Sequence, residues 1–308
     1  MKPSSNRPVR RTPSSKNQIV NITSETTLLP FLFETLKSES KTTVKSLLAH
    51  KQIVVNGTPN TKFDAPLKPG DKVGIYFDRS HSVLNHSMLN ILYEDDSIIV
   101  IDKVSGLLSM ATERDKEKTA YHILSDHVKQ KDPRNCIFIL HRLDRETSGI
   151  MMFSKSLKVQ ELLQKNWDQA ILERKYIAVV EGQFRQPQGT IKSYLAENSS
   201  YTVHTTTANK GKLAITHYRV VKSCGPYSLV ELDLETGRKN QIRVHMQESG
   251  CPVTGDKKYG AKTNPLHRLA LHAYKLRFTH PITHKEMNFE TPFPKRFELL
   301  VKKNSGSK

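Results

Sequence analysis

The sequence predicts an α+β protein in which a small helix-and-hairpin unit precedes a larger domain built on a mixed, largely antiparallel β-sheet. Three observations support this fold class. The chain has 308 residues, a length typical of two domains or of one large domain with an appendage, and ample for a hydrophobic core. A polar, irregular stretch at residues 79–88 is typical of a linker between them. Beyond it, strand-like runs follow one another without the regular β–α alternation that builds a parallel sheet.

The N-terminal end is predicted to be a disordered basic arm that covers residues 1–18. It carries five basic residues, three prolines and no acidic residue, so it lacks the apolar side chains that a core requires. A mitochondrial transit peptide is the competing interpretation, but the spaced prolines would break the amphipathic helix of such a peptide. The lysine-containing stretch from residue 302 to the end predicts a second loose basic segment.

Residues 19–78 are predicted to form a compact α+β unit. Apolar residues at helical spacing predict a first helix near residues 28–36 and a second over residues 42–50. Strands are expected at residues 53–55 and 73–77, where short apolar runs are bounded by turn residues.

Two segments of this unit, KQIVVNGTPN and LKPGDKVGIYF, make it similar to the S4-type RNA-binding domain. In that family two helices and the following hairpin form a basic surface for structured RNA. The resemblance therefore implies RNA contacts by Lys45 and Lys51. The alternative is a small α+β module whose lysines are merely solvated.

Residues 89–303 are predicted to form the larger, strand-rich domain. The region has no glycine-rich phosphate-binding motif, so we expect no nucleotide cofactor. Short apolar runs predict strands at residues 98–101, 137–140, 150–154, 176–180 and 228–234.

The composition indicates a polyanionic partner. The net charge is +18 and the isoelectric point is about 9.7. Basic side chains bind phosphates and release their counterions, so nucleic acid is the expected partner, although charge alone also fits a solubilising surface. A mean hydropathy of −0.53 and the lack of a long apolar run exclude a transmembrane helix, so no membrane partner is expected.

The three cysteines are widely spaced, and none lies in a paired ligand motif. We therefore expect reduced thiols in a cytoplasmic protein, with no disulfide framework and no bound metal.

The densest group of ionisable residues is the stretch HRLDRETSG at residues 141–149, which lies between two apolar, strand-like runs. Loops that join buried strands commonly carry functional residues. Arg142 and Arg145 flank Asp144 and would favour its ionised form if they come close to it. The loop thus offers one carboxylate nucleophile or base within a cationic frame. The alternative is a structural Arg–Asp network that holds a turn.

A second group follows the alternating strand at residues 228–234. Asn240 is a candidate N-cap and Gly250 a candidate C-terminal glycine, so the sequence predicts a short helix over residues 241–249. Arg243 would lie in its first turn, where anions bind favourably. The alternative is a surface helix with ordinary charges.

Taken together, these motifs resemble those of the RluA family of pseudouridine synthases. The resemblance covers roughly residues 89–300 and implies the pseudouridine synthase fold, with isomerisation of uridine in RNA and no cofactor or metal. The segments that carry it occur in the family's order: HRLDRETSGIMMFSKS, ERKYIAVVEG, GRKNQIRVHM, GDKKYG and LHAYKLRFTHP.

The resemblance implies roles for individual residues. Asp144 matches the aspartate that attacks the target uridine, and Tyr176 matches the tyrosine that stacks on the base and is proposed to assist proton removal. Arg243 matches the basic residue that pairs with the aspartate. Arg142 matches the arginine that holds RNA and fills the space left by a flipped base, and Arg145 and Arg238 are further expected RNA contacts.

Two positions depart from the family pattern. Asn240 stands where the family usually has histidine, which puts any role of that imidazole in doubt. The usual K-P-x-G turn reads Lys-Val-Ser-Gly at residues 103–106, and we expect this change to loosen the turn and leave the chemistry intact.

We therefore expect a monomeric, cytoplasmic enzyme that acts on ribosomal RNA in preference to transfer RNA. One competing interpretation is an RNA-binding assembly or chaperone protein that keeps the fold without catalysis. Another is an RNA N-glycosidase or nuclease, but the sequence lacks the second well-placed carboxylate or metal cluster that such an enzyme needs.

Overall fold

The computed structural model describes residues 18–49, 52–56, 58–77, 86–111 and 119–302. Its contacts divide the chain into two units, residues 1–85 and 86–308. Most of the predicted basic arm, most of the linker and the C-terminal end lie outside the described residues. Gln18, which the sequence assigns to the arm, is instead the first residue of a strand. Within the described ranges, none of the helices combines the length and apolar character needed to cross a bilayer.

The N-terminal unit is a small α+β domain, as predicted. Its helices bury the apolar residues expected from their spacing, including Val44, Leu47 and Leu48 on the second helix. Its elements are β1 (Gln18–Asn21), β2 (Thr26–Thr27), α1 (Leu28–Thr35), α2 (Lys41–Ala49), β3 (Ile53–Val55), β4 (Thr58–Pro59), β5 (Pro66–Leu67) and β6 (Lys72–Ile75). Strands β1, β6, β3 and β4 form an antiparallel sheet in that order, and β2 pairs with β5.

The predicted turn residues hold this sheet together. Asn56 has a left-handed backbone; its side-chain Nδ2 donates to Asp71 Oδ1 at 2.8 Å, and its side-chain Oδ1 accepts from Lys72 N at 2.9 Å. Asparagine adopts this conformation more readily than other residues with a side chain. The two turns that precede β4 and β6 are therefore tied to each other.

The C-terminal unit is built on one large sheet with short helices. Its strands are β7 (Leu89–Glu94), β8 (Ile98–Lys103), β9 (Phe138–Ile139), β10 (Ser148–Ser154), β11 (Ile171–Glu181), β12 (Gln188–Glu197), β13 (Val203–Thr206), β14 (Lys212–Cys224), β15 (Tyr227–Leu234), β16 (Leu271–Thr279) and β17 (Glu286–Glu290). Its helices are α3 (Ala120–Lys129), α4 (Leu157–Lys165), α5 (Trp167–Ala170), α6 (Gln241–Glu248) and α7 (Lys295–Leu300), with a 3₁₀ turn at Lys257–Tyr259.

The strand order along the sheet is β13-β12-β14-β15-β11-β16-β10-β8-β7, with β17 beside β16 and β9 beside β10. Only β10 and β16 pair in parallel among the described strands, so the predicted mixed, largely antiparallel sheet is confirmed. The five strands predicted from apolar runs all occur, and the observed β11 begins at Ile171, five residues before the predicted start at Tyr176.

The parallel pair depends on Gly149, at the beginning of β10. Its φ is +118°, and a Cβ at this position would lie 2.2 Å from the carbonyl oxygen of Ala273 in β16. Only glycine allows the two backbones to approach this closely. The strand that follows the HRLD stretch is thereby held directly against β16.

Candidate active site

Asp144, Tyr176 and Arg243 come from three separate elements and line one cavity of about 160 Å³. Asp144 lies in the loop before β10, Tyr176 lies on β11, and Arg243 lies in the first turn of α6. The sheet order places β11 next to β16, which pairs with β10, and α6 follows β15 on the other side of β11. The fold therefore brings together the three residues that the family resemblance singles out.

The loop that carries Asp144 is held by side chains from an earlier segment. Ser109 is buried, and its hydroxyl donates to the carbonyl of Leu143 at 2.6 Å while accepting from the Leu143 amide at 3.1 Å. Ser105 Oγ donates to the carbonyl of Glu146 at 2.7 Å. These hydrogen bonds fix the backbone on both sides of Asp144, so the position of its carboxylate is well defined.

Lys103 lies fully buried beneath the same loop. Its ammonium donates to the carbonyls of Leu107 at 2.7 Å and of Val104 and Arg145 at 3.2 Å. Burial lowers the pKa of Lys103 to about 8. The turn that departs from the family pattern remains attached to the loop, because Gly106 N donates to the carbonyl of Arg145 at 2.8 Å.

Arg243 is shared between two carboxylates. Its Nη1 donates to Asp144 Oδ2 at 3.3 Å, whereas its Nε and Nη2 form a bidentate pair with Asp256 at 2.6 and 2.7 Å. Burial lowers the pKa of Arg243, but the carboxylates of Asp256 and Asp144 more than offset this and raise it above its usual value. The guanidinium therefore keeps its charge beside Asp144.

Asn240 occupies the N-cap position of α6, as predicted, but its side chain makes no capping hydrogen bond to the helix backbone. Its backbone is left-handed, with φ of 53°. The side chain instead bridges two residues of the site: Oδ1 accepts from Arg243 Nη1 at 3.2 Å, and Nδ2 donates to the hydroxyl of Tyr259 at 3.0 Å. The Tyr259 ring in turn lies 4.8 Å from the guanidinium carbon of Arg243. Asn240 thus helps to position Arg243.

Tyr176 is half-buried and pairs with Leu232 and Ala273 across the sheet. Burial raises the pKa of its phenol; the nearby Arg174 lowers it somewhat, and the Asp144 carboxylate raises it further. The phenol therefore stays protonated at neutral pH, where it can donate a hydrogen bond and present its ring to the cavity.

His141 is the first residue of the HRLD stretch and joins it to β10 by a hydrogen bond. Its Nε2 accepts a hydrogen bond from the Met152 amide of β10 at 3.0 Å. Burial, with a smaller effect of Arg174, lowers the pKa of His141 to about 3. The imidazole is therefore neutral and acts as an acceptor that joins the loop to the sheet.

The residues expected to contact RNA are dispersed. Arg142 and Arg238 are exposed and line the cavity, and Arg238 Nε donates to the carbonyl of Leu213 at 2.9 Å. Arg145 is exposed on the same loop as Arg142 but does not line the cavity. Lys45 is exposed on α2 of the N-terminal unit, and Lys51 lies outside the described residues.

Sequence reasoning missed the part that Asp256 plays at this site. Asp256 is not among the predicted site residues, yet its buried carboxylate makes the closest contacts of Arg243. The GDKKYG motif was the available signal, since it contains both Asp256 and Tyr259. Among the described residues, no cluster of histidine, cysteine and carboxylate side chains could hold a metal ion.

The chain is similar to known RNA pseudouridine synthases over most of its length. The family profile described as RNA pseudouridylate synthase matches residues 97–248. The Bacillus subtilis protein named Uncharacterized RNA pseudouridine synthase YhcT is 34% identical over 280 residues, which cover 88% of this chain and 92% of the relative. Ribosomal large subunit pseudouridine synthase D of Haemophilus influenzae is 31% identical over 292 residues and covers 89% of each chain.

A solved structure also shares the fold. Human RNA Pseudouridylate Synthase Domain Containing 4 superimposes with a TM-score of 0.56 at 24% sequence identity. The match covers 68% of this chain and 90% of the human chain.

Proposed function

The chain belongs to the RNA pseudouridylate synthase family, whose members are isomerases acting on RNA, and we propose that it uses Asp144 as the catalytic residue that converts uridine to pseudouridine. One observation carries the proposal: Asp144, Arg243 and Tyr176 line a single cavity of about 160 Å³. A protein cavity of about 150 Å³ can hold benzene, so a pyrimidine ring fits a space of this size.

The reaction breaks the bond between N1 of uracil and C1′ of the ribose, turns the base and forms a bond between C5 and C1′. C5 loses a proton and N1 gains one, so atoms and electrons balance without a co-reactant. A single carboxylate suits this chemistry as a nucleophile or as a base, and either role fits Asp144. Arg243 supplies a positive charge beside it at 3.3 Å.

Tyr176 lies on the same cavity wall, where its ring can stack on the detached base. Base–aromatic stacking contributes about 1–3 kcal/mol per base. The protonated phenol can also donate a hydrogen bond toward the reacting groups. We assign Tyr176 the task of holding uracil while the base turns.

The target uridine has to leave its stack before it can reach Asp144, at a cost of a few kcal/mol. The exposed Arg142 and Arg238, which line the cavity, can offset this cost through contacts with RNA phosphates. We propose that Arg142 also fills the space that the flipped base leaves, and that Arg145 contacts RNA nearby.

We further propose ribosomal RNA as the substrate, with transfer RNA as the second choice. The printed name of the Haemophilus influenzae relative assigns that protein to the large ribosomal subunit. The N-terminal α+β unit, proposed as an S4-type domain with Lys45 and Lys51 on its RNA surface, supports binding of structured RNA. We propose that the protein is cytoplasmic, because its three cysteines are widely spaced and lie in no paired motif, and that it acts as a monomer.

The proposal is tested by replacing Asp144. We expect Asp144→Asn to abolish pseudouridine formation and to change RNA affinity by no more than a few-fold, because the surrounding basic residues remain. Pseudouridines are mapped by carbodiimide adducts and primer extension across the stable RNAs of cells with and without the gene. Asp126→Asn, which removes an exposed carboxylate from α3, is the matched control and should retain full activity. Normal activity of the Asp144→Asn protein would refute the proposal.

A further inference from the structure

A second recess of about 870 Å³, here called the flanking groove, adjoins the catalytic cavity. It is lined by residues 140–142 after β9, by the start of α5, by residues 171–174 and 176 of β11, by His217 of β14 and by residues 233–238 at the end of β15 and after it. Five residues line both spaces: Arg142, Tyr176, Leu234, Gly237 and Arg238. A molecule that enters the cavity beside Tyr176 therefore has the groove next to it.

An indole and a guanidinium lie against each other in the flanking groove. The guanidinium carbon of Arg174 lies 5.9 Å from the ring centroid of the half-buried Trp167. Arg174 Nη2 makes only long hydrogen bonds, of 3.4 Å, to the carbonyls of Leu234 and Glu235. A Cβ on Gly237 would lie 2.6 Å from Arg174 Nη1, so the turn after β15 leaves room for the guanidinium. Both groups present flat surfaces on which nucleobases stack.

The charges of the flanking groove suit a base better than a phosphate. Glu173 is paired with Lys275 and Arg277, each at 2.9 Å, and Glu235 with His217 at 2.7 Å. The Asp233 carboxyl is half-buried, and burial raises its pKa. Because Asp168 also lines the groove, its walls carry four carboxyl groups, and the linking phosphate is better placed at the rim, where the arginines shared with the cavity can hold it.

We infer that the flanking groove binds the base of a nucleotide adjacent to the target uridine, stacked against Trp167 and Arg174, an inference that rests on the proposed function. An everted uridine remains covalently joined to its neighbours, so an adjacent nucleotide can reach the groove across the shared rim. The base of that adjacent nucleotide can bind in the groove once it has also unstacked from the RNA helix. The preferred substrate is therefore a uridine in a loop or single strand whose neighbouring base is unpaired.

The fluorescence of Trp167 tests this inference directly, because the chain contains one tryptophan. The full-length protein is titrated with a pentaribonucleotide that has a central uridine and two adenosines on each side. Further pentanucleotides each contain one abasic ribose. In some of them it replaces an adenosine next to the uridine, and in others it replaces a terminal adenosine. We expect the intact form to quench the fluorescence. Loss of one particular adjacent base should remove the quenching and weaken binding at least about fivefold, whereas loss of a terminal base should change neither.

Substitution of Arg174 gives an independent readout. Arg174→Gln should weaken binding of the intact pentanucleotide but not of the form without the adjacent base. Arg185→Gln, which removes an exposed arginine outside the groove, is the matched control and should affect neither. Equal quenching by all forms, or an Arg174→Gln effect that is independent of the adjacent base, would overturn the inference.

Pseudouridine formation by the wild-type protein is measured in parallel on cellular RNA. If the wild-type protein forms pseudouridine but the quenching of Trp167 does not depend on the adjacent base, only the groove assignment is refuted. Failure of the wild-type protein to form pseudouridine would refute the proposed function instead.

Discussion

Arg243 is bound more closely by Asp256 than by Asp144. The bidentate contacts with Asp256 measure 2.6 and 2.7 Å, and the single contact with Asp144 measures 3.3 Å. Asp256 is almost completely buried, whereas the Asp144 side chain retains about a quarter of its exposure, 26%. Asp256 thus fixes the guanidinium in place and leaves the Asp144 carboxylate open to the cavity.

This arrangement predicts that Asp256 positions Arg243 without touching substrate. Asp256→Asn keeps the shape of the side chain but loses its charge and one acceptor, so Arg243 becomes less well fixed. Small displacements of this kind can cost about a hundredfold in rate. We expect kcat to fall by about that factor while KM for RNA changes little, as measured by steady-state kinetics.

A stability measurement belongs with this prediction, because the buried Asp256 forms an ion pair with the partly buried Arg243, and disruption of this pair lowers the free energy of unfolding. Glu286→Gln, which breaks an exposed pair with Arg277, is the control and should leave both kcat and Tm nearly unchanged. An unchanged kcat in Asp256→Asn would contradict the positioning role.

The protonated phenol of Tyr176 predicts a clear effect of Tyr176→Phe. The ring remains, so stacking and RNA affinity should be preserved, whereas the only hydrogen-bond donor of the side chain is lost. We expect kcat to fall about a hundredfold or more if the hydroxyl takes part in proton transfer, as the family resemblance implies. Single-turnover kinetics with saturating enzyme measures this loss. A rate equal to wild type would restrict Tyr176 to packing against the base.

Gly149 should be intolerant of any side chain. In Gly149→Ala the new Cβ would meet the Ala273 backbone at 2.2 Å, and the positive φ adds backbone strain. We expect the free energy of unfolding to drop by about 3 kcal/mol or more, measured by urea denaturation. Gly225→Ala is the matched control, because Gly225 also has a positive φ but its new Cβ would have no other atom within 4 Å. Its cost should be about 1 kcal/mol.

Glu94 should make the stability of the C-terminal unit sensitive to acid. Its side chain is 7% exposed and bonds to His127 at 2.7 Å and Lys155 at 2.9 Å. Burial raises the pKa of Glu94, but His127 and Lys155 lower it more, to about 2. Because the pKa is lower in the folded than in the unfolded state, this stabilisation is present above about pH 4.5 and is lost as the pH falls toward 2.

The test compares wild type with Glu94→Gln across that pH range. We expect the wild type to be more stable at pH 6, by up to about 3 kcal/mol, and the difference to shrink steadily below about pH 4.5. Glu161→Gln, which replaces an exposed glutamate on α4, should follow the wild-type profile. A difference between wild type and Glu94→Gln that is independent of pH would contradict the ion-pair explanation.

Helices and strands were predicted correctly where neighbouring residues along the chain carry the signal. Helix α6 was expected at residues 241–249 and occurs at Gln241–Glu248, with Gly250 in the left-handed region that ends it. Strands β7, β12, β13, β14, β16 and β17 were not among the predicted strands. The side chains of β12, β13 and β14 are largely exposed or half-buried and show no clear apolar alternation, which is the sequence signal of a half-buried strand. Strand β16 was missed although it is largely buried, because basic side chains are interspersed among its apolar residues.

The amino-acid sequence by itself determined the fold class, the two-part organisation expected on either side of residues 79–88 and the motif residues Asp144, Tyr176 and Arg243. These depend on composition, on the spacing of apolar residues and on the order of motifs, all of which are readable along the chain. Only the tertiary structure decided that Asp256 holds Arg243 and that Trp167 meets Arg174. Such contacts depend on strand order, backbone conformation and side-chain direction, which bring distant residues together and which no local pattern encodes.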